Sequence, residues 1–323
     1  MRNFVRILIG CLLNTVLQAA EIPAVRQSVQ TLKITVLSTM LADGNELGEW
    51  GFAALVEVDG HRILFDTGEH TDVVLKNAQS LKVDLSTVPD VVLSHWHSDH
   101  TGGFLTLRRN AMANAPPALA RTHVGEGFFR SRTGVPPGVE LNQMIRLKPE
   151  YEQTGGMFVV HAKPVQLFPG VWLTGPVPRK HPERNWSGSA RVKTPAGMEE
   201  DTIPDDMALV IDTGPGLVIV TGCGHAGVIN IIEHARTLIR PARVHALIGG
   251  IHLFNASDRT LDWTAEKLRG FGVDNFIGAH CTGIETVFRL RGDLAMNRAT
   301  CVIGAVGATF ELGRGINPRV IAK

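Results

Sequence analysis

Cysteine is scarce: four stand in 323 residues, Cys11, Cys223, Cys281 and Cys301, and loss of an N-terminal piece carrying the first leaves an odd three. A disulfide framework is therefore not expected to hold the chain together. Neither sign of charge is in excess. With 32 Lys and Arg against 31 Asp and Glu, the whole-chain field gives no case for a nucleic-acid partner or an anionic membrane, and a small molecule is the better expectation. No internal repeat is visible, and no Ser-x-x-Lys, Gly-x-Ser-x-Gly or phosphate-loop motif supplies a ready nucleophile or phosphate cradle.

What the chain does have is ordinary globular composition, 44% hydrophobic and 20% charged, with enough length to bury a large core. Its first twenty residues differ from the rest. Arg2 and Arg6 precede or open an apolar run, Ile7 to Leu17, and Gln18-Ala19-Ala20 follows with small residues. That is the layout of a secretory signal peptide, too short for a stable membrane span, and it implies a periplasmic or secreted protein. Two other readings stay open: a lipoprotein box around Cys11, and a retained N-terminal element of a cytoplasmic protein. The expected organisation is a leader over 1–20 and a single domain over 21–323, with a loop-rich insertion over about 110–206.

From Leu32 onward, strand-like and turn-like pieces alternate. Phe52–Val58 and Arg62–Phe65 flank Asp59-Gly60, a strong hairpin signal. Thr71–Leu81 has helical spacing, and Asp90–Leu93 reads as a short buried strand. The Pro- and Gly-rich middle offers only short strand candidates, Met157–Ala162 and Val171–Thr174 among them, and is expected to form loops covering a site. Strands over Met207–Ile211, Leu217–Thr221, Val244–Ile248 and Asn275–Gly278 then alternate with helices over Gly227–Arg240, Asp258–Arg269 and Ile284–Leu294. Two sheets with helices outside them, an α/β fold of the αββα sandwich type, fit this rhythm best.

Chemistry concentrates directly after the strand Val91–Leu93, in Ser94-His95-Trp96-His97-Ser98-Asp99-His100-Thr101-Gly102-Gly103. In an extended segment residues i and i+2 point the same way, so His95 and His97 can address one metal ion while Asp99 and His100 face a neighbouring one. Imidazole nitrogen and carboxylate oxygen suit Zn2+ first, with Mn2+ or Fe2+ as other divalent possibilities.

The run HWHSDHTGG resembles the His-x-His-x-Asp-His signature of the metallo-β-lactamase superfamily. LFDTG, TGCGHAG and AHCTG are similar to that superfamily's other motif positions. The succession ILFDTG, TGPVPR, DDMALVI, TGCGHAGVINI, GGIHL and AHCTG resembles more narrowly the subgroup named for a dihydropterin-ribofuranosylaminobenzene 5′-phosphate synthase. The resemblance implies His95, His97 and His225 around a first ion, Asp99, His100 and His280 around a second, and Asp66 orienting a ligand histidine from behind. His252 is implied at the substrate or behind a ligand, and with Asp99 it is a candidate catalytic residue.

One departure stands out. Superfamily hydrolases usually carry an Asp that bridges both ions, and none of Glu233, Asp258, Asp262, Glu266 or Asp274 is well placed for it. Cys223 is the nearest occupant of that corner, either as a thiolate ligand or as a small buried thiol. The implied activity is hydrolysis of an ester, lactone, amide or phosphoester by an activated water held at one or two ions. A pterin-linked transferase and a non-catalytic metal sensor are the rivals. Helix N-termini after Gly103, His225 and Cys281 favour an anionic substrate group, and Arg179, Lys180, His181 and Arg184 add positive charge if their loop folds over the site, a solvated charge run being the commoner reading of such a stretch.

Overall fold

The computed structural model describes residues 28–134 and 138–323. The expected leader and Cys11 lie outside them.

The chain opens with β1 (Leu32–Ser38), the hairpin β2 (Ala53–Val58) and β3 (His61–Phe65), α1 (Val73–Ser80) and β4 (Asp90–Val92). Asp59 and Gly60 both have positive φ, 43° and 82°, the pair of left-handed residues that matches a two-residue hairpin turn to strand twist. The one-turn helix α2 (Ser98–Thr101) then leads into α3 (Phe104–Met112).

The middle of the chain supplies β5 (Arg121–Gly125), the short β6 (Arg132–Thr133), α4 (Met144–Gln153), β7 (Met157–His161), β8 (Val165–Phe168), β9 (Val171–Leu173) and the hairpin β10 (Arg191–Thr194) and β11 (Gly197–Glu200). The C-terminal part holds β12 (Leu209–Asp212), β13 (Leu217–Thr221), α5 (Val228–Leu238), β14 (Val244–Gly249), α6 (Asp258–Phe271), β15 (Phe276–Gly278), α7 (Ile284–Asp293), β16 (Cys301–Ile303), β17 (Thr309–Glu311) and β18 (Gly315–Asn317).

Two large sheets result, ordered β18-β17-β1-β2-β3-β4-β5-β7 and β16-β15-β14-β13-β12-β9-β8. Ile34, Val56, Phe65 and Val92 of the first meet Leu209, Val220, Ile248 and Ile277 of the second in one core between the sheets. Val74 of α1, Leu107 of α3 and Tyr151 of α4 pack on the outer face of the first sheet, and Ile232 of α5, Leu268 of α6 and Leu290 of α7 cover the second. This is the expected αββα sandwich. Its central strands, covered on both sides, carry nearly continuous buried runs, such as all five residues of β13. Helix α6 shows the complementary pattern: Leu261, Thr264, Ala265 and Leu268 form its buried stripe, Ser257 caps its first turn by accepting from Thr260 N, and Gly272 ends it in the left-handed conformation.

The middle of the chain is more regular than the sequence suggested. Strands β5 and β7 extend the first sheet, and α4 forms although Pro149 lies inside it. Proline removes one helical hydrogen bond, and burial of Met144, Leu147 and Tyr151 against the sheet offsets that loss.

Candidate metal centre

The strand ends of both sheets converge on one cluster of His, Asp and Cys side chains. Its organising group is Asp66, fully buried past the end of β3 with a φ of 57°. Such left-handed backbone costs about 1 kcal/mol or more for a residue with a Cβ, and it recurs at His252 (51°) and His280 (48°), so three strand ends are held in conformations that the surroundings must enforce.

Asp66 Oδ1 accepts from Ser94 N and Oδ2 accepts from Ser94 Oγ, both at 2.7 Å. The Ser94 hydroxyl, having given its proton to the carboxylate, receives His95 Nδ1–H at 2.9 Å. His100 Nδ1–H donates to Asp66 Oδ2 at 2.7 Å. One carboxylate therefore sets the tautomer of two imidazoles, leaving the Nε2 lone pairs of His95 and His100 facing the cluster. The backbone allows this because Gly222 lacks a side chain: a Cβ there would fall on Ser94 Oγ and Asp66 Oδ2. His225 is fixed in the same way, donating from Nδ1 to the carbonyl of Asn185 and leaving Nε2 without a partner.

The donor atoms form overlapping sets, and those of His95, His97 and Asp99 all lie within 4.8 Å of one another. The rings of His95, His97 and His225 pack mutually at centroid separations of 4.6, 4.7 and 4.9 Å, and His95 Nε2 lies 3.0 Å from His97 Nδ1. Donor atoms of Asp99, His100, Cys223 and His280 all fall within 4.8 Å of one another, and Cys223 groups in the same way with His95 and His225. Cys223 Sγ is 3.1 Å from His100 Nε2. His280 Nε2 approaches Asp99 Oδ2 at 3.2 Å, yet neither His280 ring nitrogen is aligned for a hydrogen bond.

Buried polar atoms without partners are rare, and here His225 Nε2, His252 Nδ1 and both His280 ring nitrogens lack one. Burial, with repulsion between neighbouring imidazoles, holds His95 and His225 well below the ordinary histidine pKa. Burial likewise lowers His97 to about 3. For Asp99 burial works upward, but the neighbouring His100 and His280 outweigh it and keep the carboxyl well below its usual range. Burial works downward on His100 and His280 too, but Asp99 and Asp66 outweigh it and raise His100, while Cys281 and Asp99 carry His280 up to about 10, so these two rings hold protons that an incoming cation would displace. Imidazoles, an anionic carboxylate and a thiol are the donors that borderline divalent ions take, so this set fits such ions.

The structure thus brings together all of His95, His97, Asp99, His100, Cys223, His225 and His280, with Asp66 behind them. Cys223 stands between the two sets. The five acids set aside in the sequence are engaged elsewhere or lie on outer helices: Asp258 and Asp262 pair with Arg289, Asp274 with Arg243, and Glu233 with His181. His252 joins a group with Cys223 and Cys281, its ring 4.5 Å from that of His225, and one face of it borders a cleft of about 830 Å³. Asn185, Trp186, Phe254, Arg259 and Trp263 also line this cleft. Trp50, itself exposed, packs edge-on to His280 at 4.8 Å and to the cleft residue Phe254 at 5.5 Å.

The basic stretch does fold beside the site. Arg179 donates to the carbonyl of His225 at 2.8 Å and lies over the Trp186 ring, while His181 pairs with Glu233. One expectation needs correction. The N-terminus of α5 is not free for a substrate anion, because Glu183 accepts from the backbone N–H of Ile229 and Asn230. Glu183 is close at hand in the same loop and satisfies those donors without a ligand.

Sequence reading missed the support beneath Trp96. Asp205 accepts from Trp96 N at 3.0 Å and pairs with Arg132 at 2.5 Å, Arg132 also meets Asp201 at 2.9 Å, and its guanidinium lies over the Trp96 ring. All three charged residues are buried. The only signal was the acidic pair in DDMALVI; Arg132 sits in a stretch with no recognisable pattern. Asp206 was missed too. Its Oδ2 accepts from Ala226 N, Oδ1 has no partner, and burial raises its carboxyl to about 6.

A two-sheet sandwich with paired histidine-rich donor sets at its strand ends defines a class. Residues 51–239 match the metallo-beta-lactamase superfamily, and the chain belongs to it. Within that class, the chain is 28% identical over 271 residues to the 7,8-dihydropterin-6-methyl-4-(beta-D-ribofuranosyl)-aminobenzene-5′-phosphate synthase of Methanocaldococcus jannaschii, covering 80% of this chain and 90% of that one. The solved structure of a metal-dependent hydrolase of the beta-lactamase superfamily is similar with a TM-score of 0.69 and 27% identity, over 86% of this chain and 98% of that one. Zn2+-bound PqqB from Methylobacterium extorquens shares the fold, with a TM-score of 0.52, 13% identity, and coverage of 86% and 99%.

Proposed function

We propose that this protein is a metal-dependent hydrolase acting on an ester, lactone, amide or phosphoester of a small molecule with an anionic group. The observation that carries the reading is the meeting of two donor sets at Cys223 beside an open cleft. His95, His97 and His225 would hold one divalent ion, zinc first, and Asp99, His100 and His280 a second, with Cys223 in the place of a bridging carboxylate. Ions in such a site polarise a carbonyl or phosphoryl oxygen and bring the ionisation of water toward neutral pH.

The chain's own groups then do the positioning. Asp66 and Ser94 keep the His95 and His100 lone pairs aimed inward. Trp50 packs against His280 and Phe254 and offers an exposed aromatic surface beside the centre. His252, which lines the cleft, is available to orient a substrate group or to pass it a proton as a bond breaks. Arg259, exposed at the cleft, supplies a cation for a substrate anion.

Metal-dependent turnover across an ester, lactone and phosphodiester panel, lost on chelation and in His95→Ala, tests this reading. A metal-loaded protein inert across the panel counts for the sensor alternative. The name of the Methanocaldococcus relative favours a second reading, transfer to a pterin-bearing acceptor, and assay with a pterin substrate separates the two.

A further inference from the structure

Two residues beside the centre have no part in the hydrolytic reading as ligands: Cys281, fully inaccessible, and the half-buried His252. One donor atom from each of Cys223, His252 and Cys281 lies within 4.8 Å of the other two. The arrangement is built. His280 and His252 adopt left-handed backbone immediately before Cys281 and after Ile251, and Gly250 makes room, since a Cβ on it would come within 2.7 Å of Cys281 Sγ. His252 Nδ1 is buried with no partner, an unmet lone pair or donor next to two thiols.

Cys301 supplies the comparison. It too is a buried thiol that donates to a carbonyl, that of Val287 at 3.7 Å, much as Cys281 donates to Cys223 O at 3.8 Å. Among the described residues, however, no group of metal-binding side chains includes Cys301. Packing explains Cys301 completely and leaves the clustering around Cys281 unexplained.

We propose that Cys223, His252 and Cys281 form a third cation locus for a thiophilic divalent ion. Two sulfurs and one imidazole make a three-ligand set that leaves a fourth position open, and the softness of thiolate selects cadmium or zinc over manganese or magnesium. Of the three, His252 also lines the cleft, while both sulfurs are buried. Because Cys223 also belongs to the set of Asp99, His100 and His280, the new locus and that set compete for one sulfur. Cys223 also groups with His95 and His225, so a thiophilic ion at the new locus draws the sulfur from both sets and inhibits the hydrolytic centre, while His95, His97 and His225 keep three imidazoles for their ion.

The full chain, stripped of metal and titrated with cadmium, tests this through the thiolate-to-metal charge-transfer absorbance. The wild type is expected to show two sulfurs on one ion, Cys281→Ser to lose about half the absorbance, and His252→Ala to keep the sulfur signal while binding about tenfold or more weakly. Cys301→Ser is expected to change nothing. Cobalt added separately reads the histidine set by its ligand-field bands, which Cys281→Ser should leave in place. Loss of those bands in the wild type would instead strike at the hydrolase reading. Full absorbance and affinity in Cys281→Ser overturn the proposal. If that variant does not fold, anomalous scattering from cadmium-loaded wild-type crystals decides: a peak between the sulfurs of Cys223 and Cys281 supports the locus, and its absence overturns it.

Discussion

Replacing Asp66 with Asn keeps the shape of the side chain while reversing one of its hydrogen-bonding functions. In the native site Oδ1 accepts from Ser94 N, and Oδ2 accepts from both Ser94 Oγ and His100 Nδ1. Asn offers one acceptor, which Ser94 N retains, and an amide N–H2 where two donors used to point. His100 Nδ1 must then accept, which moves the ring proton to Nε2, the nitrogen that faces Cys223 at 3.1 Å and would face an ion. Loss of an orienting partner of this kind costs roughly 10–100-fold in metal affinity, about 1.4–2.8 kcal/mol. The loss should fall on the ion near His100 and His280. His95 feels Asp66 only through the Ser94 hydroxyl, so the other ion is expected to weaken less. Competition with a chromophoric chelator, with elemental analysis of metal content, measures the two affinities separately. Two ions bound as tightly in a folded Asp66→Asn protein as in the wild type would refute this account of how the imidazoles are aimed.

Other outcomes follow from the same contacts. His95→Ala combined with His97→Ala should abolish binding at the first set while leaving the Asp99, His100, Cys223 and His280 donors able to take an ion, as read by stoichiometry. Cys223→Ser should lower occupancy of the second ion more than the first, since His95, His97 and His225 remain; equal loss at both, or none, would argue that the sulfur is only packed there. Arg132→Met leaves Asp201 and Asp205 buried without their cation, and is expected to destabilise the fold by about 3–5 kcal/mol in denaturant titration. Metal-stripped protein should lose stability as pH falls below about 6.5. Burial holds the folded-state pKa of His95, His97 and His225 below that of the unfolded chain, so the unfolded state binds more protons in this window. The loss is expected to continue to about pH 3, the folded-state value of His97. Buried Asp206 and Asp205, raised to about 6 and about 7, take up protons in the folded state over part of the same window and offset some of this loss. An NMR titration of the folded, metal-stripped protein in which these three rings protonate at the ordinary histidine value would contradict their buried, neutral state.

The sandwich was legible because its strands and helices carry strong local patterns. The Asp59-Gly60 turn, the apolar β13 and the stripe of α6 each declare one conformation, and the histidine motif marks the strand end where the layers converge. What stayed hidden depends on distance through space. Arg132 meets Asp201 and Asp205 across about seventy positions of chain, and no periodicity announces such a pairing. Helix α4 was masked by Pro149, whose local penalty is outweighed only by packing. The capping of α5 by Glu183 was equally invisible, since it depends on how the Pro-rich loop turns back across forty-six residues. Cys223 was singled out by its place two residues before His225, but that it stands within reach of both donor sets follows only from the close approach of β13 and the loop after β4.

The most direct test of the central claim is elemental analysis of the full chain after metal removal and zinc reconstitution, carried out alongside hydrolysis of the ester, lactone and phosphodiester panel. The account predicts one to two tightly held ions per chain, with hydrolysis that appears on loading and disappears on chelation. A folded protein that retains no ion after reconstitution would contradict it.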